Sequence, residues 1–361
     1  MARLPEPLGI IGDERLQLIP RRHRSQHEFC FHIHDLMLQL LHQIEGRSLH
    51  LVNISLDSEV GQAALNDDMD IMRLLEKHDR HDLAKRVIVN STMVALYADM
   101  LHFLYEGLRA LEKRKFTIAF SLFRKPLKEG ILIVAQMCAD EDSFYERFRN
   151  DASSLLDRTQ KEESAVKSTF SQAIDRCRGA NFVDADNVYG ALFDRGMTGG
   201  LAGLFDLSTH YLTDYKKIRT NNSDINLIFH DPMDDAIYRG TVYPLLGQML
   251  LFLHIMQVEL YDRMTEARPH YRDWLLFSSL GAYEGLFMNG RGAMREFVNE
   301  DLKSFLECPV CRTPFRLRKE NAARFFISEY IDCVECEMAH HFPIGWLISK
   351  MNLNIARPRS E

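Results

Sequence analysis

Four cysteines near the C-terminus constrain this chain more than any other feature: Cys308-Pro309-Val310-Cys311, then 21 residues, then Cys333-Val334-Glu335-Cys336. Two C-x-x-C pairs at this separation are the pattern of a structural zinc site. A two-residue spacer makes a tight knuckle that aims two thiolates at one ion. A second knuckle closes the tetrahedron from the other side. With Cys308, Cys311, Cys333 and Cys336 as ligands no coordination position stays open, so Zn2+ is expected to hold structure rather than to react. His340 and His341 lie four and five residues after Cys336, but four thiolates need no replacement.

The flanking residues give this module an expected shape. Phe315 and Leu317 alternate with Arg316 and Arg318; Phe325-Phe326-Ile327 and Tyr330-Ile331 form a second apolar run; His341-Phe342-Pro343-Ile344 forms a third. The pattern predicts a zinc ribbon of three short strands over residues 307–350, with a tail at 351–361. A domain of that size buries too little apolar surface to fold unaided, so the metal is expected to supply much of its stability.

The remaining sequence reads as helix after helix. An arm at residues 1–24, rich in proline and charge, carries one short strand at Leu8–Ile11 and ends in Pro20-Arg21-Arg22-His23-Arg24. From His27 the apolar residues Phe29, Ile33, Leu36, Leu40 and Ile44 recur at spacings of three and four, and Gly46 ends the run. Further helices are expected at Asp67–His78, His81–Lys113, Lys115–Ala139 with a kink at Pro126, Asp140–Asn150, and Asp151 to about Arg178. Asp184–Arg195, Leu201–Tyr215, Asp234–Arg263, Tyr271–Phe287 and Ala293–Leu306 follow, with a short apolar stretch at Asn226–Phe229. The expected fold is mainly α: a multi-helix bundle over residues 25–306, with a lobe boundary near 179–186, and a small β zinc ribbon after it. The most apolar run, Thr241 to Leu260, contains Pro244, Gly247, Gln248, His254 and Gln257, which favours a buried helix over a membrane span.

Composition narrows the function. A net charge of −7 argues against a bulk polyanion binder. Of seven cysteines, four are assigned to metal, and Cys30, Cys138 and Cys177 sit in apolar helical contexts as inert thiols. With no disulfide framework, a reducing cytoplasm is expected. No P-loop, no G-x-G-x-x-G after a strand and no G-x-S-x-G elbow is present.

The segment from Ala110 through Lys113-Arg114-Lys115 to Glu129 has a basic junction followed by a helix in which Arg124 precedes Glu129 by five residues. Over about residues 85–140 this resembles helical proteins of the HEPN superfamily, especially the abortive-infection-associated branches. The resemblance implies either an RNase or an inactive binding module in a bacterial stress or phage-defence setting. RNases of that superfamily pair an Arg with a nearby His: the His moves protons at the 2′-hydroxyl and the leaving group, and the Arg neutralises the phosphorane. Pairs with such spacing are Arg21–His27, Arg22–His27, Arg73–His78 and Arg263–His270, no more than chance predicts. The polar residue that follows the family's Arg is absent, since Leu74 and Met264 stand there. Arg73, His78, Arg263 and His270 are the catalytic candidates. The expected role is binding or assembly with a protein partner or a second copy; an RNA-cleaving enzyme whose ribbon docks its substrate is the alternative.

Overall fold

The computed structural model describes residues 7–54, 71–223, 225–226, 232–265, 269–290, 292–351, 353 and 355. Expectations at 67–70 and 227–229, and most of the tail, lie outside the described residues. The described residues are mainly helical, with one two-stranded antiparallel sheet among them near the C-terminus.

The order begins with α1 (Asp13–Leu16), α2 (Arg21–Gly46), α3 (Ile71–Lys77), α4 (His81–Glu112) and α5 (Phe116–Arg124). A π-helical turn at Lys125–Gly130 joins α5 to α6 (Ile131–Ala139). Pro126 is the cause: it has no N–H for the α-helical ladder, and the wider turn absorbs the defect without breaking the helix. Then come α7 (Glu141–Asp151), α8 (Glu163–Arg176), α9 (Ala185–Leu192), α10 (Leu201–Thr209), α11 (Pro232–Met264), α12 (Pro269–Phe287) and α13 (Ala293–Asp301). Asp140 caps α7 by accepting from Ser143 N at 3.0 Å, and Asp184 caps α9 by accepting from Asn187 N at 2.8 Å.

α11 is the axis of the bundle. Val242, Tyr243, Leu246, Met249 to Leu253, Ile255, Met256, Val258 and Leu260 are all buried, and from Met249 to Tyr261 the helix is covered on every side. It packs on α2, α6 and α12. Among the described residues, two helices could cross a membrane by length and composition, residues 81–112 and 235–264; 78% of the most apolar window of the second is buried. One continuous buried cluster runs from Leu8 to Ile348, on both sides of residues 179–186.

Several expected elements differ. The strand expected at Phe315 and Leu317 does not form, because the Asn299 side chain takes both backbone groups of Leu317, and the helix expected over Leu201–Tyr215 ends at Thr209. Leu8–Ile11 is not a strand: the buried carboxylate of Glu28 accepts from the backbone N–H groups of Leu8, Ile10 and Ile11, which satisfies them without a sheet. The helix expected from Asp151 starts only at Glu163, after a 3-10 turn at Ala152–Leu156 capped by Asp151. The run Phe325-Phe326-Ile327 belongs to α14 (Lys319–Ser328), not to a strand. Ala322, Ala323, Phe325 and Phe326 are buried there, at helical and not alternating spacing.

α14 lies flush on α12. Phe326 meets Phe277 edge to face at 5.2 Å, and Ser278 Oγ donates to Phe326 O at 2.7 Å. The approach needs glycine: a Cβ on Gly281 would lie 2.3 Å from the Phe326 ring, and one on Gly285 would lie 2.9 Å from Ala323 N.

Alanine normally stabilises an exposed helical glycine site by up to about 1 kcal/mol. Gly240→Ala, with open space at its Cβ, should follow that rule, whereas Gly285→Ala should lower stability by about 1–3 kcal/mol because a backbone atom blocks it. Paired thermal melts of the two variants check the opposite signs. A second expectation concerns acid. Burial holds the His254 imidazole down to about 3, with the nearby His32 adding to the effect. The unfolded chain therefore takes up this proton first, and stability falls as pH drops below about 6.5. His254→Gln should flatten that fall by about 1.4 kcal/mol per pH unit, read from urea unfolding in steps below neutrality.

Candidate metal centre

Each cysteine pair sits at the tip of a hairpin. The first hairpin forms around Cys308 and Cys311: Glu307 bridges Pro314, Cys308 N donates to Thr313 O at 2.9 Å, and Arg312 N donates to Cys308 O at 2.9 Å. The second forms between β1 (Tyr330–Asp332) and β2 (Ala339–His341), paired Tyr330 to His341, Ile331 to His340 and Asp332 to Ala339. Its knuckle repeats the first: Cys333 N donates to Met338 O at 3.0 Å, and Glu337 N donates to Cys333 O at 3.0 Å. The residue after each second cysteine, Arg312 and Glu337, has a left-handed backbone with φ of 62° and 57°. Two knuckles of one geometry, facing each other, follow from the two identical spacings.

The four sulfurs lie within 4.8 Å of one another. Cys308 Sγ is 3.6 Å from Cys336 Sγ, and Cys311 Sγ is 3.5 Å from Cys333 Sγ. A disulfide needs about 2.05 Å, whereas a tetrahedral ion with metal–sulfur bonds of about 2.3 Å separates its sulfurs by about 3.8 Å. The donor set therefore fits one tetrahedral metal ion. Cys308 and Cys333 are buried, Cys336 is half-buried and Cys311 is exposed. The Thr313 hydroxyl, 3.2 Å from Cys311 Sγ, leads the contacts that pull the Cys311 thiol down to about 6, towards the ionised form a metal needs. His340 is not among the four clustered donors. Its Nε2 lies 3.2 Å from Cys308 Sγ, placed to donate to that sulfur once a metal ionises it, and its ring packs against Phe315.

The module is fixed to the bundle. Asn299 on α13 pairs with both backbone groups of Leu317, at 2.8 and 2.9 Å. α15 (Ile344–Ile348) rests against α12, and Gly345 N donates to the Glu329 carboxylate at 2.8 Å.

The remaining sequence candidates lie apart. Arg73 in α3 and His78 just after its end are both exposed. The Arg263 guanidinium donates to Met137 O and Cys138 O at 3.3 and 3.0 Å and pairs with Glu141 at 3.0 Å and Glu259 at 3.5 Å, so it caps the last turn of α6. His270 is half-buried at the start of α12. His27 is buried and faces Glu112 and Tyr243; Arg22 donates to His23. No Arg–His contact joins any of the four spaced pairs among the described residues. Arg124 pairs with Asp206 at 3.2 Å and donates to Thr209, not to Glu129.

One constellation escaped the sequence reading. A buried chain of polar groups runs from Asp235 to Arg239 (2.7 Å), Tyr243 (3.3 Å), His27 (3.0 Å) and Glu112 (3.5 Å), and Glu112 also holds Arg15 and Arg109. Arg239 is fully buried and also donates to Leu18 O and Leu111 O. Burial pushes His27 down despite Glu112 beside it. Burial alone would raise the Glu112 carboxyl, but the His27 and Arg15 hydrogen bonds hold it below its usual value. The one local signal is Asp235, Arg239 and Tyr243 at successive spacings of four, which places them on one face of α11; their partners are too distant in sequence to read.

No protein-family model matches the chain, and no curated protein or solved structure matches it.

Cys308→Ser should abolish stoichiometric metal in elemental analysis, because the buried first ligand cannot be replaced from solvent. His340→Ala should keep the metal but weaken its retention about 10- to 100-fold, read as the rate of transfer to a coloured chelator.

Proposed function

We propose that this chain is a zinc-binding protein with a binding or assembly role, in which Zn2+ on Cys308, Cys311, Cys333 and Cys336 fixes a docking surface. The supporting observation is where apolar side chains emerge. Phe305, Val310, Tyr330, Val334, Met338 and Trp346 are each 45–68% exposed, all between residues 305 and 346. Each C-x-x-C loop presents one of its own valines to solvent. Between the module's hairpins and α15 lies an open groove of about 310 Å³, lined by Phe305, Pro309, Phe315, Phe342, Trp346 and Leu347. Apolar exposure gathered in one small module is the mark of a protein-contact surface.

Four thiolates also suit iron; the choice of zinc rests on the paired knuckles and the closed shell they imply. With a divalent ion the site carries about two negative charges. Arg312, Arg316, Arg318, Lys319, Arg324 and Lys350 are matched there by Glu307, Glu320, Glu329, Asp332, Glu335 and Glu337. That balance favours a protein partner or a second copy over RNA at this module. Reduced thiols suit a cytoplasmic setting. The RNA-cleaving alternative has less support, since Arg263 uses its donors on α6 carbonyls and on carboxylates, and Arg73 and His78 face solvent.

The purified chain should carry one zinc per molecule and no iron. Sedimentation across a concentration series should show self-association that Val334→Ser with Trp346→Ser weakens at least tenfold. Cleavage of labelled RNA by the zinc-loaded chain, lost in His78→Ala or His270→Ala, would overturn this reading in favour of the enzyme.

A further inference from the structure

Two basic runs remain without a role in that reading: Arg21-Arg22-His23-Arg24 and Lys113-Arg114-Lys115. They are far apart in the chain and meet at one end of the bundle. Nη2 of the buried Arg239 donates at 3.3 Å to Leu18 O and at 3.3 Å to Leu111 O, which ties the approach to α2 to the end of α4. Arg15 to Glu112 and Arg114 to Asp235 make further ties across the same junction.

The charges there are unbalanced. Glu112 already serves Arg15, Arg109 and His27, and Asp235 serves Arg239 and Arg114. Both carboxylates are buried. Asp13 and Glu14 are exposed in the neighbouring turn. Arg21, Arg22, Lys113 and Lys115 are also exposed, and none holds an ion pair among the described residues. Helix stability does not account for them. The first turn of the 26-residue α2 contains no acidic residue and no side-chain cap, yet it carries three arginines at the positive end of the helix dipole.

Exposed aliphatic side chains occur on the segments that meet there. Leu18 is 53% exposed, Ile118 50% and Ile237 64%. Leu18 supplies the carbonyl that Arg239 holds. Ile237 precedes Arg239 by two residues on α11. Ile118 follows Phe116, whose ring lies 5.3 Å from the Arg239 guanidinium. Splayed bases would call for exposed aromatic rings among the cations. Branched aliphatics ringed by Lys and Arg suit the boundary between headgroups and acyl chains.

We infer that this end of the bundle docks on an anionic phospholipid surface, with Arg21, Arg22, Lys113 and Lys115 on the lipid phosphates and Leu18, Ile118 and Ile237 among the acyl chains. The docking is peripheral and reversible. Each cation near such a surface strengthens binding about fivefold, and salt weakens the whole within a Debye length.

The test is co-sedimentation of the metal-loaded full-length protein with phosphatidylcholine vesicles, with and without phosphatidylglycerol. Binding should require phosphatidylglycerol and fall steeply with salt. Arg21→Glu with Arg22→Glu should weaken it at least tenfold. Glutamate suits the start of α2 better than arginine does, so helicity should be retained and unfolding cannot mimic the loss. Leu18→Ser with Ile237→Ser should weaken binding while leaving its salt dependence unchanged. Soluble glycerol phosphate should compete poorly, because it offers nothing to the aliphatic residues. Absence of binding to anionic vesicles, or equal binding by the charge-reversed variant, would overturn the inference. So would tight binding of a short nucleic acid by a protein that ignores vesicles.

Discussion

The contact between α12 and α14 governs how the C-terminal third relates to the rest of the molecule. Two glycines one helical turn apart, Gly281 and Gly285, leave room for the Phe326 ring and for the α14 backbone at Ala323. Helices ordinarily pack about 8–10 Å apart, with side chains setting the distance. Removing two Cβ atoms from the contact lets backbone and ring close on each other, and the Ser278 hydroxyl anchors the main chain of α14. The metal hairpins at either end of α14 inherit that placement.

At the junction of α1, α2, α4 and α11 the organising force is charge. Arg239 is fully buried, so its donors must all find acceptors. Four of the five N–H groups do so, on Asp235, on the Tyr243 hydroxyl and on two main-chain carbonyls. Glu112 is satisfied in the same way, by cations from α1 and α4 and by His27. Removing one member would leave the others unpaired in the interior, which costs more than the pair contributed. The network fixes the N-terminal segment, and Glu28 fixes it a second time through three backbone N–H groups. A segment that composition presents as a loose arm is thereby fastened to the bundle.

Helices announced by long apolar periodicity, α2, α4 and α11, were legible in the sequence, as were the four cysteines, because ligand spacing is local information. Misassigned strands were short apolar runs. Phe325-Phe326-Ile327 suits a strand or a helix equally until it is known which faces are covered, and Gly281 and Gly285, the residues that decide it, lie some 40 positions earlier. The role of His340 was hidden for a related reason. Spacing from Cys336 suggested an alternative ligand, but the pairing of His340 with Ile331 across the β1–β2 hairpin sets it beside Cys308. The buried network joins residues from 15 to 243, and no window of sequence contains it.

The docking of α14 alters what the metal has to do. Were the 21 residues between Cys311 and Cys333 a free loop, ion binding would have to supply the entropy of closing it. With α14 already held on α12, the two hairpins start close together and the ion joins two preformed knuckles. Less of the binding free energy goes into ordering, so more appears as affinity. Linkage runs in the other direction too: an ion that binds only the docked arrangement stabilises the α12–α14 contact by the same amount. Metal removal should therefore loosen the knuckles first and α14 second, while α11 and its neighbours, buried without reference to the ion, keep their packing. A surface carried by the knuckles responds to metal in that scheme, and the body that presents it does not.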